Sequence, residues 1–167
     1  DDHHRQAFDD SDAFQPPPPD RLDGPQAQIG TVNRQAGGEP QRAHRFLDAL
    51  VEVHLASLET YLGAVGPYID IIQFGDDLGA QNCPQISPRM YAEFFQPRHR
   101  LMWQRAKQLA GVKVMLHCCG AVRQLLPLLI DAGLDAINPV QISCRGMEAA
   151  RLKSEFGADL TFWGGGC

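Results

Sequence analysis

Short apolar segments alternate with amphipathic helical segments along most of the chain, and this alternation constrains the fold more than any other feature. The apolar segments are rich in β-branched and aromatic residues, which is typical of buried strands. They cover residues 68–74, 112–116, 136–138 and 160–163. Strands that alternate with helices favour parallel βαβ units with right-handed crossovers, so the sequence predicts an α/β protein.

One helix is predicted before each strand. Apolar side chains recur every three or four residues over residues 43–65, and a Gly-Pro pair ends that helix. The second helix begins at Ser87, a residue type that caps helix N-termini, and runs to about residue 110. The other two helices cover residues 122–132 and 147–156.

Two architectures fit four parallel strands. A closed (β/α)8 barrel needs eight strand–helix units and usually about 250 residues, so this chain of 167 residues would form part of one. The alternative is a small, open, doubly wound sheet, but its glycine-rich phosphate loop is missing from the sequence. Ligands bind at the carboxyl ends of the strands in both architectures, so the loops after the strands are the places to search for a site.

Residues 1–41 differ in composition from the rest of the chain. They have no apolar periodicity and include four consecutive prolines, Pro16 to Pro19. Such a segment cannot offset the entropy lost on ordering. We therefore predict a disordered or loosely attached leader over residues 1–41 and one partial barrel domain over residues 42–167.

Charge and cysteine content narrow the class of protein. The formal net charge of -5 gives no electrostatic reason to expect nucleic acid or an anionic membrane as partner. The sequence has neither an apolar run long enough to cross a bilayer nor a secretion signal at its first residues. Five unevenly spaced cysteines fit a thiol or metal role in a reducing compartment. These features predict a cytoplasmic protein.

His117 and Cys119 follow the second strand and are two residues apart, so their side chains are expected to project to one side, opposite to Cys118. An imidazole nitrogen and a thiolate are suitable zinc ligands. Cys167, after the fourth strand, is the candidate third ligand, and the fourth position would then be open for water or a substrate thiol. On spacing alone, a pair of strand-end residues that bind no metal is slightly favoured.

Other polar residues follow the strands. Asp76 and Asp77 are candidates for general acid and base, but neighbours on an extended loop point apart, so at most one of them should face the site. Asn138 and Gln141, after the third strand, are candidate substrate contacts. The helical histidines His44, His54 and His99 are interpreted as surface or packing residues, and the aromatic residues Tyr91, Phe94 and Phe95 as core.

Several ordered segments carry a family resemblance. They cover residues 72–81, 86–91, 97–99, 116–120, 138–141 and 162–166. Together they resemble consecutive segments of the uroporphyrinogen decarboxylase superfamily over roughly residues 42–167. The resemblance implies a (β/α)8 barrel whose site lies at the strand ends.

That superfamily has two chemistries. One branch decarboxylates the acetate groups of uroporphyrinogen III without metal or cofactor. In the other branch, zinc bound by a His-x-Cys pair and a further Cys activates a thiol, which takes a methyl group from the cobamide of a corrinoid protein. His117-x-Cys119 resembles the second branch, and Asp76-Asp77-Leu78 departs from the Asp-Ser-Trp of the decarboxylases. The methyltransferases take their third ligand from a later part of the barrel, so the resemblance implies either that Cys167 replaces it or that the ligand lies beyond residue 167.

Three functions therefore stay open at this stage. The resemblance favours zinc-dependent methyl transfer from a corrinoid protein to a thiol. The second possibility is a metal-free decarboxylase, in which Asp76 or Asp77 would contact a tetrapyrrole. The third is an inactive barrel fragment, because half a barrel leaves unpaired strand edges and an uncovered core face.

Overall fold

Four parallel strands form one sheet in the order of the sequence. The computed structural model describes residues 39–165, so Cys167 and most of the predicted leader lie outside the described residues. The strands are β1 (Ile71–Gly75), β2 (Lys113–His117), β3 (Ala136–Asn138) and β4 (Thr161–Phe162). Every neighbouring pair is parallel, which confirms the predicted βαβ units.

Helices precede the strands as predicted. They are α1 (Pro40–Val65), α2 (residues 88–110), α3 (Leu126–Ala132) and α4 (Ala149–Phe156). Helix α2 has three consecutive parts, which are Pro88–Met90, the π-helical turn Tyr91–Phe95 and Gln96–Ala110. Short 3-10 turns, Gly66–Tyr68 and Arg123–Leu125, follow α1 and precede α3. The alternation of four parallel strands with helices is that of a partial (β/α)8 barrel.

The two faces of the sheet differ in burial. Ile72 pairs with Val114, and Leu116 pairs with both Phe74 and Ile137, which places these side chains on one face. That face packs in the core with apolar residues of the helices. His117 pairs with Gly75 and Asn138 on the other face, at the carboxyl ends of the strands. The sheet thereby places polar residues of β2 and β3 side by side.

One strand departs from its prediction. Residues 68–74 were expected to form a buried strand, but Tyr68 belongs to a 3-10 turn and is exposed. Pro67 favours that turn because its ring fixes the backbone φ near the helical value. Ile71 and Gln73 are exposed as well, because they lie on the face opposite to the helices.

Arg98 connects α2 to α1. Its guanidinium donates hydrogen bonds to Asp48 Oδ1 at 2.5 Å, to the His44 carbonyl at 3.2 Å and to the Phe94 carbonyl at 2.5 Å. The His44 ring stacks on Phe94 with centroids 4.6 Å apart. His44 is thus a packing residue and His54 is exposed, as predicted. Within residues 39–165, no helix has the length and apolar character needed to span a membrane.

Asp135 joins the amino ends of β2 and β3 to α2. Its carboxylate accepts a hydrogen bond from the Val114 amide at 2.8 Å and lies 2.6 Å from Lys107 Nζ and 3.5 Å from Lys113 Nζ. Burial acts to raise the pKa of this carboxyl, but the two lysines and the amide outweigh it and hold the pKa below its usual range. The ionised form therefore stabilises the folded chain.

We expect Asp135→Asn to lower the free energy of unfolding at pH 7 by about 1–3 kcal/mol, since a charged hydrogen-bond acceptor is lost. Because the pKa is lower in the folded state, this stabilisation is present above the unfolded pKa and disappears as the pH falls through the folded value. Urea unfolding at pH 7 and below about pH 4 measures both effects. An equal difference between variant and wild type at the two pH values would contradict this account.

Candidate metal centre

The loops that follow β1 and β2 are in backbone contact. The Asp76 amide donates to the His117 carbonyl at 3.0 Å, and the Ala121 amide donates to the Ala80 carbonyl at 2.8 Å. A Cβ atom on Gly79 would overlap the backbone of residues 119 and 120, and one on Gly120 would overlap the backbone of residues 79 and 80. Gly120 also has a φ of 89°, which favours glycine. Two glycines therefore allow the loops to approach each other.

His117 and Cys119 converge, as predicted. His117 Nε2 lies 3.7 Å from Cys119 Sγ, and both residues are partly exposed. Cys118 points to the opposite face, where its buried Sγ accepts a hydrogen bond from the Leu78 amide at 3.3 Å. Burial raises the pKa of the Cys118 thiol to about 12. Cys118 thus stays a neutral thiol with a packing role, and Cys119 is the sulfur beside the imidazole.

Asp77 completes the cluster. One carboxylate oxygen of Asp77, a ring nitrogen of His117 and the sulfur of Cys119 all lie within 4.8 Å of one another. Asp77 Oδ1 also accepts a hydrogen bond from the Cys119 amide at 3.3 Å. Asp76 points elsewhere, with its Oδ2 3.2 Å from His99 Nε2. Asp77 therefore lies beside His117 and Cys119, whereas Asp76 lies beside His99.

Asn138 selects the tautomer of the neutral His117 ring. Its Nδ2 donates to the Trp163 carbonyl at 3.2 Å, so its Oδ1 is the atom that lies 2.7 Å from His117 Nδ1. That oxygen is an acceptor, which requires the proton on Nδ1 and leaves Nε2 with a free lone pair. A hydrogen bond of this kind on the second ring nitrogen is usual for metal-binding histidines.

Gln141 supports the loop after β2. Its Oε1 accepts a hydrogen bond from the Gly120 amide at 3.0 Å. Asn138 and Gln141, predicted as substrate contacts, are thus both bonded to residues of the candidate site. Their role in substrate binding stays a prediction.

The donor set fits zinc. Zinc accepts imidazole nitrogen, thiolate sulfur and carboxylate oxygen, and catalytic zinc sites use three protein ligands with a fourth position open. Asp77, His117 and Cys119 supply one donor of each kind. A carboxylate and a thiolate also carry two negative charges, which balance the charge of a divalent cation. The sequence had indicated Asp77 as an acid or base, and its place beside the His-x-Cys pair depends on loop contacts that spacing does not reveal.

His99 was interpreted only as a surface or packing histidine, and this interpretation is incomplete. The ring is buried and stacks on Trp103 with centroids 4.8 Å apart, but it also forms hydrogen bonds with Tyr91 Oη at 2.9 Å and with Asp76. The available signal was its position on a predicted helix among core aromatic residues, since a buried imidazole needs polar partners.

We expect Gly120→Ala to lower the free energy of unfolding by roughly 1–3 kcal/mol, because it adds a Cβ at positive φ and against backbone atoms. Gly63→Ala is the matched control, because Gly63 lies in α1 with open space around it. This control should stabilise the chain by about 1 kcal/mol. Urea unfolding measures both, and a Gly120→Ala variant as stable as wild type would contradict the close approach of the loops.

Comparison with known families gives one finding. Residues 24–154 match the family model described as uroporphyrinogen decarboxylase (URO-D). The match begins inside residues 1–41 and includes β1, β2, β3 and the loops that carry Asp77, His117 and Cys119. Searches of curated proteins and of solved structures found no match. Because the family model matches well over half of the chain, the chain belongs to the uroporphyrinogen decarboxylase family.

Proposed function

We propose that this chain is a methyltransferase-like member of the family, in which zinc held by Asp77, His117 and Cys119 activates a thiol that accepts a methyl group. The main support for this proposal is that one ligand atom each from Asp77, His117 and Cys119 lies within 4.8 Å of the other two. The methyl donor is proposed to be the cobamide of a corrinoid protein, on the basis of the His117-x-Cys119 resemblance. Zinc would lower the pKa of a thiol at its open position, so that the sulfur is a thiolate at neutral pH.

The residues around the cluster prepare its ligands. The hydrogen bond from His117 Nδ1 to Asn138 directs the unprotonated Nε2 toward Cys119. Asp77 Oδ1 accepts a hydrogen bond from the Cys119 amide, which leaves Oδ2 available to a cation. Both contacts exist within the chain itself, so little reorganisation is needed when an ion binds.

Asp77 takes the place that the sequence reasoning gave to Cys167. Cys167 lies outside the described residues, and the proposal does not depend on it. Asp77 and Cys167 are the two candidates for the third ligand. A carboxylate and a second thiolate have different affinities for zinc, so the zinc affinity depends on which of them binds. Asp77→Ala and Cys167→Ala therefore form a pair of variants that identifies the third ligand.

We expect the chain to bind one zinc ion, and His117→Ala, Cys119→Ala and Asp77→Ala each to weaken binding by at least about tenfold, through loss of a ligand. Competition with a chromophoric chelator measures the affinity. His54→Ala and Cys83→Ser are matched controls, because neither residue is in the cluster. A chain that does not bind zinc, or whose affinity is unchanged by His117→Ala, would contradict the proposal.

We expect the zinc-loaded chain to transfer a methyl group from a methylated corrinoid protein to a small thiol, and chelation of zinc or His117→Ala to abolish the transfer. The thiol loses its proton, its sulfur bonds to the methyl carbon, and the cobalt–carbon bond breaks with its electron pair left on the donor's cobalt. Loss of the methylcobamide absorbance therefore measures the reaction. Transfer that continues after chelation would contradict the role of the metal.

The second candidate is metal-free decarboxylation of uroporphyrinogen. It is favoured by the description of the matched family and by two carboxylates at the end of β1. Turnover of uroporphyrinogen in the presence of chelator, with loss of activity in Asp77→Asn, would select this function over methyl transfer.

A further inference from the structure

A buried chain of hydrogen bonds runs from α2 to the loop after β1. Tyr91 Oη lies 2.9 Å from His99 Nδ1, and His99 Nε2 lies 3.2 Å from Asp76 Oδ2. Tyr91 is fully buried and His99 is 6% exposed. The side chain of Asp76 is partly exposed, so the chain of bonds leads from the core to the edge of the candidate site.

The direction of each hydrogen bond follows from the chemistry of the partners. Asp76 accepts as a carboxylate, so His99 Nε2 carries the proton. In the neutral imidazole, Nδ1 then accepts from the Tyr91 hydroxyl. Burial raises the pKa of Tyr91, so its hydroxyl keeps the proton that it donates. Trp103 stacks on the ring and fixes its plane. Both ring nitrogens therefore have a hydrogen-bond partner in the neutral imidazole.

A π-helical turn makes this arrangement possible. Residues eight apart on an α-helix point about 80° away from each other, which would separate Tyr91 from His99. The turn Tyr91–Phe95 adds one residue, with the Gln96 amide bonded to the Tyr91 carbonyl five residues earlier. The extra residue brings the two side chains to within about 20° of the same direction. Pro97, which has no amide hydrogen, is the residue after Gln96. π-Helical turns often occur at functional sites.

The anchoring of Asp76 constrains the direction in which Asp77 points, together with the contacts of Asp77 itself. Side chains of successive residues in extended backbone point to opposite sides. Asp76 is bonded to His99 on the side of the helices, and Asp77 lies on the opposite side with His117 and Cys119. Without the bond to His99, the Asp76 carboxylate would have no partner on that side among the described residues, and the loop would lose one of the contacts that hold it.

We infer that His99 is a positioning residue, which acts through Asp76 to hold Asp77 toward His117 and Cys119. This inference rests on the proposed function only in taking Asp77 as a zinc ligand. The position of Asp77 itself can be tested without metal, because Asp77 Oδ1 accepts the Cys119 amide.

The experiment compares His99→Leu, His99→Gln and Tyr91→Phe with wild type. Leucine removes both hydrogen bonds, whereas glutamine offers a donor to Asp76 and an acceptor to Tyr91. Tyr91→Phe removes only the hydroxyl, so it tests the chain of bonds if His99→Leu does not fold. Two measurements are made, which are amide hydrogen exchange of the metal-free chain by NMR and zinc affinity by chelator competition.

We expect His99→Leu to speed exchange of the Cys119 amide by about tenfold and to weaken zinc binding by about 10- to 100-fold. His99→Gln should restore both values, and Tyr91→Phe should have a smaller effect of the same kind. The Val114 amide, bonded to Asp135 at the other end of β2, is the internal control and should not change.

Unchanged exchange of the Cys119 amide in both His99→Leu and Tyr91→Phe would overturn the inference. Equal acceleration at Val114 and Cys119 would also overturn it, because His99 would then contribute only to global packing. If wild type binds no zinc while the Cys119 amide responds as expected, the proposed function fails and the positioning role of His99 stands.

Discussion

Parallel pairing of β1 with β2 determines the positions of Asp77, His117 and Cys119. Gly75 lies opposite His117, and the Asp76 amide continues the ladder by donating to the His117 carbonyl. This register aligns the ends of the two strands, so the residues that follow them meet at one edge of the sheet. A shift of one residue would exchange the two faces and turn His117 toward the helices. The core residues of the helix-facing side, which include Val114 and Leu116, oppose such a shift.

The loops after β1 and β2 approach each other closely, and this brings the candidate ligands together. Gly79 and Gly120 permit backbone contact, and the Asp77 carboxylate can then accept the Cys119 amide. Asn138 on β3 orients the His117 ring through a hydrogen bond to Nδ1. Three consecutive strands thus contribute to one cluster, although each supplies only one or two polar side chains. Helix α2 contributes His99, which bonds to Asp76 and holds it on the side of the sheet opposite to Asp77.

Local patterns predicted much of this structure. Apolar periodicity, the Ser87 cap and the residues that end the helices are local signals, and the four strands and four main helices were found from them. The Ser87 hydroxyl accepts the Met90 amide at 3.2 Å, as expected of a cap. The convergence of His117 and Cys119 also followed from strand alternation alone. The placement of Asp77 could not be predicted, because it depends on contact between residues about forty positions apart. The bond between Tyr91 and His99 depends on a π-helical turn, for which periodicity gave no signal.

We propose that one nitrogen, one sulfur and one carboxylate oxygen of this chain hold a zinc ion. X-ray absorption spectroscopy of the zinc-loaded chain reports the ligand atoms around the metal. We expect one sulfur at about 2.3 Å and two or three nitrogen or oxygen atoms at about 2.0–2.2 Å. Two or more sulfur ligands, or a metal bound without sulfur, would show that the proposed ligand set is wrong.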